Sequence, residues 1–227
     1  MIKIAKTSRY WLIGLVSLAM AIGSVTGSFV SASIATAASK TAVAVANSLL
    51  VKGRAPKTGY SRSLFSDGWG SINGCDTRNL ILKRDLKSVT WRTNGVCLVA
   101  TGVLDDPYTG KRINFIRGVR TSLAVQIDHV VAVSDAWQKG AQLLTSSQRH
   151  SFYNDPLNLL AVDGPTNESK GDGDAATWLP PNKSFRCNYV ARQVAVKAKY
   201  HLWVTSSEKA AIIGILVSCP SQKLPVG

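Results

Sequence analysis

The spacing of hydrophobic and polar residues changes character several times along this chain, and each change predicts an element. Residues Trp11 to Val30 form one long apolar run. From Tyr60 the pattern becomes that of a globular domain. SRSLFSDGWG leads into CDTRNLILKRDL, where Leu82 and Leu86 stand four apart and predict a small helix, with a short strand through Leu80 to Leu82 as the alternative. VTWRTNGVCLVATGVLDDPYTGKRINFIRG then alternates, interrupted at Asn94-Gly95 and again from Asp106 to Gly110, which are hairpin and turn signals. Ala124 to Val133 reads as a strand. Ser134 to about Ser151 carries helix formers with Ala136, Trp137, Ala141 and Leu144 on one side. Strand character returns from Leu157 to Val162, and Pro165 followed by Asn167 to Lys170 opens a helix. The order there is strand, helical insert, strand, helix.

Past Asp174, Trp178-Leu179-Pro180-Pro181 should turn the chain toward a terminal helical hairpin. In its first helix, from about Ser184, Phe185, Tyr189, Val196, Tyr200 and Trp203 share one stripe. Cys187, Ala191, Val194 and Ala198 share another. The large stripe should face the sheet side and the small one the partner helix, which opens on a Thr205/Glu208 capping box. The predicted class is α+β, with a β-hairpin region before the central motif and a helical hairpin after it.

The start of the chain reads differently. Lys3, Lys6 and Arg9 precede the apolar run, small residues crowd Ser31 to Ser39, and Ala35-Thr36-Ala37 is an A-x-A pattern. This is the layout of a secretory signal peptide over residues 1–37, and an uncleaved membrane anchor is the alternative. Gly14, Gly23, Ser24, Thr26, Gly27 and Ser28 weaken the run as a span. Residues 38–59, rich in Ala, Val, Ser and Lys, read as a mobile leader or a short helix, with one domain from 60 to 227. At 227 residues and 45% hydrophobic content, the chain can bury a single core.

Charge and cysteines extend the same reading. The net charge is +14, and without Lys3, Lys6 and Arg9 it is +11. A secreted domain this basic implies an anionic partner, either nucleic acid or an envelope polymer or membrane. Lys111 to Ile127 and Lys183 to Ser207 hold basic residues and no acid. Cys75, Cys97, Cys187 and Cys219 form no C-x-x-C pair, which argues for disulfides over zinc in an exported protein. Three pairings are possible, and sequential pairing is favoured. If the terminal helices fold back near Val204, Cys187 and Cys219 each lie roughly 22 to 26 Å from the turn at about 1.5 Å per residue, and meet at the open end of the hairpin.

The candidate chemistry lies between Gln126 and Lys170, in QIDHVVAV and NDPLNLLAVDGPTNESKG. DHV, NDPLNLL and NESKG together resemble the HNH, or ββα-metal, endonuclease family. The chain is similar to a group of small exported bacterial HNH proteins over roughly Tyr60 to Cys219, including GCDTRN, DPYTG and YVARQVAVKAKYHLWVT. The resemblance implies a ββα-metal core over about 124–174 and a divalent-metal-dependent endonuclease. It makes His129 the general base, Asp128 and Asn167 the ligands of the ion, and Asn158 the brace of the loop between the strands.

An imidazole suits the base role near neutral pH, and the oxygens of Asp and Asn suit Mg²⁺, with Mn²⁺ as a second candidate. In the family the third position is often His, and Asn167 there favours a hard oxygen-liganded metal. Singly, Asp128-His129 reads as a core pair, and Asn158 and Asn167 read as turn or cap residues. Order and spacing together favour the catalytic reading.

DNA, with RNA as a further candidate, would meet the basic residues Lys170, Lys183, Arg186, Arg192, Lys197 and Lys199, of which Lys170, Arg186, Arg192 and Lys197 are the chosen contacts. Phosphate contacts of that kind position a substrate without reading its sequence. A solvated helix face is the plain alternative for many of them. Asp155 and Asp163 are read as turn caps. Asp76, Arg78 and Asn79 are read as either a buried polar network or phosphate contacts. The competing function is a non-catalytic cationic protein that binds extracellular DNA or an anionic envelope polymer.

Overall fold

A computed structural model describes residues 41–93 and 97–226. The expected signal peptide, its cleavage site and the Asn94-Gly95 turn lie outside the described residues.

Helix α1 (Ala42–Ser48) comes first, capped by Thr41, and buries Ala42 and Ala46. A short hairpin of β1 (Ser71–Ile72) and β2 (Cys75–Asp76) leads into helix α2 (Thr77–Asp85), whose N-terminus Asp76 caps by accepting from the Asn79 N–H at 2.7 Å. Leu82 is therefore helical. Leu86 opens β3 (Leu86–Trp91), which pairs antiparallel with β4 (Val99–Asp105), itself paired with β5 (Arg112–Ile116). The β4–β5 turn closes as Asp106 Oδ2 accepts from the Thr109 N–H at 2.7 Å, with Gly110 at φ 75°. That positive φ is why glycine ends the turn.

Strand β6 (Val125–His129) stops at His129, short of the predicted Val133, because the chain turns at Val130 and enters helix α3 (Val133–Trp137). Helix α4 (Ser146–Tyr153) completes the insert. Strand β7 (Leu159–Asp163) returns antiparallel to β6, pairing Asp128 with Leu160 and His129 with Leu159. Helix α5 (Gly164–Lys170) follows directly, with Asp163 as its cap. A Cβ at Gly164 would stand 2.0 Å from the Leu123 carbonyl, so glycine lets the helix start tight against the segment before β6.

Helices α6 (Arg186–Lys199) and α7 (Ser206–Leu216) form the terminal hairpin, and disulfides join Cys75 to Cys97 and Cys187 to Cys219. The described chain is thus a mixed helix-and-sheet fold stapled by two disulfides. Thr205 caps α7 through the Glu208 N–H at 3.1 Å, but the Glu208 carboxylate turns inward to Lys139 and Lys197 and completes no capping box.

Of the two readings of residues 38–59, a mobile leader or a short helix, α1 bears out the second, and the segment belongs to the fold. Helix α1 packs on α6 and α7, the Lys52 N–H donates to the Val204 carbonyl and the Val204 N–H to the Leu50 carbonyl, and Trp203 Nε1 donates to the Gly53 carbonyl at 3.0 Å. Its alanine-rich face meets the small stripe of α6 in one core with Ile212 and Leu216. Arg54 bonds Asp135 and Asp174, each at 2.8 Å. Among the described residues no helix is long and apolar enough to cross a membrane.

Candidate active site

Successive residues on a strand project to opposite sides, and β6 ends on two that can do chemistry. Asp128 lies on the side that meets α5, together with Gln126. Its Oδ1 accepts from Lys170 Nζ at 2.9 Å and its Oδ2 from the Tyr108 hydroxyl. Lys170 and Asn167 are three apart on α5 and so share a face. The Lys170 ammonium also donates to the His129 carbonyl at 2.9 Å, and Asn167 Nδ2 donates to Gln126 Oε1 at 2.8 Å. Burial, with the Asp128 carboxylate beside it, pushes the Tyr108 hydroxyl well above its usual range. It therefore stays a donor.

On the other side, His129 Nε2 lies 2.8 Å from the Tyr153 carbonyl. A carbonyl only accepts, so Nε2 carries the proton and Nδ1 of the neutral ring is left as an acceptor. The Trp69 ring stacks on the imidazole at 5.8 Å and 6°, and the Tyr153 ring packs at 4.4 Å. Burial and the nearby Arg62 cation lower the pKa of His129 to about 3, against an opposing pull from the Tyr153 carbonyl and Asp128. The ring is neutral at physiological pH.

These residues line one open cleft of about 220 Å³, shared by His129, Asp128, Asn167, Arg62 and Asp172. Asn158 is buried beneath it. Its Oδ1 accepts from the Val131 N–H at 2.8 Å and its own carbonyl accepts from the Val130 N–H at 2.8 Å, fixing the loop that follows His129. That is a brace, with no atom presented to the cleft.

The predicted basic contacts require correction. Lys170 and Lys197 have fully buried side chains: Lys170 bonds Asp128, and Lys197 pairs with Glu208 at 2.9 Å and Asp135 at 3.4 Å. Neither ammonium is at the surface to meet a phosphate. Arg186 donates to the Pro180 carbonyl, and Arg192 donates to the Leu157 carbonyl and lines a different cleft with Asp85, Asp105 and Phe185.

Asp155 and Asp163 do cap turns, Asp76 and Asn79 form a polar network that reaches the Val99 N–H, and Arg78 donates separately to the Val125 carbonyl. His150 and His201 are exposed, away from the cleft. Sequence reasoning missed Arg62, Trp69, Tyr108 and Tyr153. Tyr108 stands in the turn signal DPYTG and Trp69 in the segment SRSLFSDGWG, and neither lies on a periodic stripe that would mark it. The part Tyr153 plays runs through its backbone carbonyl, which side-chain chemistry does not announce.

A divalent ion is compatible with this donor set. An ionised carboxylate offers about four lone-pair sites, and Tyr108 and Lys170 occupy one on each oxygen of Asp128. Because the Asn167 amide is anchored through Nδ2, its Oδ1 is the atom left for a ligand. Among the described residues no group of three or more His, Cys, Asp and Glu gathers as a metal cluster, in this cleft or outside it, so an ion here would take most of its ligands from water and phosphate. A carboxylate and an amide oxygen suit Mg²⁺, which keeps several waters and takes oxygens from phosphate.

Residues 76–215 match the family described as GmrSD restriction endonucleases, C-terminal domain, an HNH-type nuclease domain. A protein of Arthroderma benhamiae described as an uncharacterized secreted protein is 39% identical over 182 residues, which is 79% of this chain and 85% of that protein.

Proposed function

The chain belongs to the family of GmrSD restriction endonuclease C-terminal domains, and on that premise we propose that it is a secreted, divalent-metal-dependent endonuclease. It hydrolyses phosphodiester bonds in DNA, and in RNA as a second substrate, with little sequence preference. One observation carries this reading: His129, fixed through Nε2 on the Tyr153 carbonyl, has Nδ1 as a bare acceptor in the cleft it shares with Asp128 and Asn167.

His129 Nδ1 takes a proton from the attacking water, whose oxygen bonds to phosphorus as the bond to the departing 3′ oxygen breaks. The departing 3′ oxygen takes a proton from solvent water, and His129 returns its proton to solvent, so the products are a 5′-phosphate and a 3′-hydroxyl. Trp69 and Tyr153 hold the imidazole flat and keep bulk water off its faces. Asp128 and Asn167 would hold the ion, with Tyr108 and Lys170 fixing the carboxylate and Asn158 fixing the loop behind the base. When bound, the ion neutralises charge developing on the phosphate and on the leaving oxygen. These strands and α5 would then be the ββα-metal core of the HNH family.

Secretion is supported by the signal-like first 37 residues, by the two disulfides, and by the secreted relative. The net charge of +14 fits a polyanionic substrate.

The test is cleavage of plasmid DNA and of RNA by the disulfide-bonded protein from Ala38 to Gly227, in Mg²⁺, in Mn²⁺ and in EDTA, beside His129→Ala. Metal-dependent cutting that the variant loses is the expected result. Salt-sensitive binding with no cutting in any metal would instead establish the non-catalytic cationic protein.

A further inference from the structure

Tyr153, the last residue of α4, touches the candidate site with three separate groups. Its carbonyl holds His129 Nε2 at 2.8 Å, and its ring packs on the imidazole at 4.4 Å. Its hydroxyl accepts from Arg62 Nε at 3.3 Å, with the Arg62 guanidinium carbon 5.1 Å from the ring centroid. Arg62 is exposed on the 3₁₀ turn Arg62–Leu64 and lines the cleft with His129, Asp128 and Asn167.

A guanidinium has five donors, and the Nε–H of Arg62 is the one the fold engages. Among the described residues no carboxylate pairs with it, and neither terminal nitrogen bonds any of them. Arg54 differs, with both terminal nitrogens bound to carboxylates, as does Arg84, whose fork is filled by Asp85 and by the Pro156 and Leu159 carbonyls. In Arg62 the planar fork is anchored at its base and open at its tip, in a cleft that also holds the proposed base. That is the geometry in which arginine grips phosphate oxygens in pairs.

We infer that Arg62 is a phosphate-binding residue for the scissile group, and that Tyr153 is the positioning residue that sets Arg62 and His129 at a fixed separation. The inference rests on the nuclease reading. It gives the insert between β6 and β7 a task, because α4 exists on this account to deliver Tyr153. It also draws in a residue that precedes the family match, which begins at residue 76.

The test compares steady-state cleavage of one plasmid by wild type, Arg62→Ala and Arg62→Lys in Mg²⁺, with thermal melting of each protein. Loss of a donor aimed at transition-state charge costs about 10²–10³-fold in kcat, so Arg62→Ala should fall by about that factor while KM moves less than about threefold. Arg62→Lys, which keeps the charge and loses the fork, should lie between the two. Added guanidinium should restore at least about tenfold to Arg62→Ala and nothing to wild type, a response a purely structural role would not give.

If wild type cuts and Arg62→Ala cuts within about threefold of it, the inference fails and the nuclease reading stands. Should Arg62→Ala fail to fold, Arg62→Lys decides alone, and full activity in it overturns the inference. A wild type inert in every metal removes the nuclease reading and the inference with it.

Discussion

Among the described residues two places bury lysine beside carboxylate, and they differ in what their polar atoms have left to offer. Around α3, Lys139 bonds Asp135, Asp174 and Glu208 at 2.7, 2.7 and 2.6 Å, Lys197 bonds Glu208 and Asp135, and Arg54 closes the set from outside. Three cations meet three anions. Burial pushes Asp135 up, but Lys197 and Lys139 outweigh it and hold that carboxyl below its ordinary range; burial likewise lowers Lys197, yet Asp135 and Glu208 raise it overall. At the end of β6, by contrast, one lysine and one tyrosine hold one carboxylate that still faces a cleft, and the adjacent imidazole has an open Nδ1. The first cluster is closed and joins five parts of the chain. The second is held rigid and keeps valences free, which marks a site for chemistry more surely than buried charge does.

The largest effect that would break this contrast is kinetic. Replacing a general base removes about 10²–10⁴-fold of rate, so His129→Ala should lose cleavage by that order in a gel-based plasmid assay. The variant should still bind DNA at low salt. A variant that keeps its activity would leave the cleft without a base and return His129 to an ordinary core position.

The closed cluster should respond in the opposite way. Breaking a buried ion pair by deleting one partner costs about 3–5 kcal/mol, so Lys139→Met should lower unfolding stability by that order in urea titration. Its cleavage per folded molecule should be unchanged at a temperature where it remains folded. Loss of activity without loss of stability would mean the cluster communicates with the cleft.

The neutral imidazole makes a pH prediction whose sign differs from that of the ion pairs. With its pKa lowered to about 3 in the fold and 6.5 when unfolded, His129 binds a proton more readily in the unfolded chain. Its contribution to stability is therefore complete above about pH 6.5 and falls as pH drops toward about 3, with a slope of at most about 1.4 kcal/mol per pH unit. Comparing wild type with His129→Gln by urea unfolding across that window isolates the effect, because the carboxylates are common to both. Parallel curves would show that the ring titrates normally and is open to water.

Much of this was legible in the sequence, because strand period, turn residues and helix caps are local signals. The β-rich run Ala124 to Val133, the return of strand character from Leu157 to Val162 and Pro165 at a helix start placed the strand, strand, helix order, and the resemblance to the HNH family gave Asp128, His129 and Asn167 their shared role. What was not legible depends on partners far along the chain. Lys170 and Lys197 read as surface contacts for phosphate, but their counter-ions stand 42 and 62 residues away and draw them into the interior. The alanine-rich segment before Pro56 looked like a leader because small residues make weak hydrophobic patterns, yet small residues are what close packing on α6 requires. Glu208 met the local rule for a capping box, and two buried ammonium groups outcompeted the cap for its carboxylate.

The smallest predicted effect separates the two jobs assigned to one residue. Tyr153→Phe removes the hydroxyl that accepts from Arg62 Nε and leaves both the backbone carbonyl that holds His129 and most of the ring that packs on it. If Tyr153 acts on the base through its carbonyl alone, the base keeps its geometry and only the Arg62 anchor loosens. A neutral hydrogen bond of this kind is worth about 0.5–1.5 kcal/mol, so kcat should fall about two- to tenfold with KM nearly constant. The same substitution made in Arg62→Ala should then cost almost nothing further, because the group that the hydroxyl positions is already gone, and a double-mutant cycle on kcat measures that coupling. Additive losses would place the Tyr153 hydroxyl in a role of its own, and would separate the base from the arginine that the fold holds beside it.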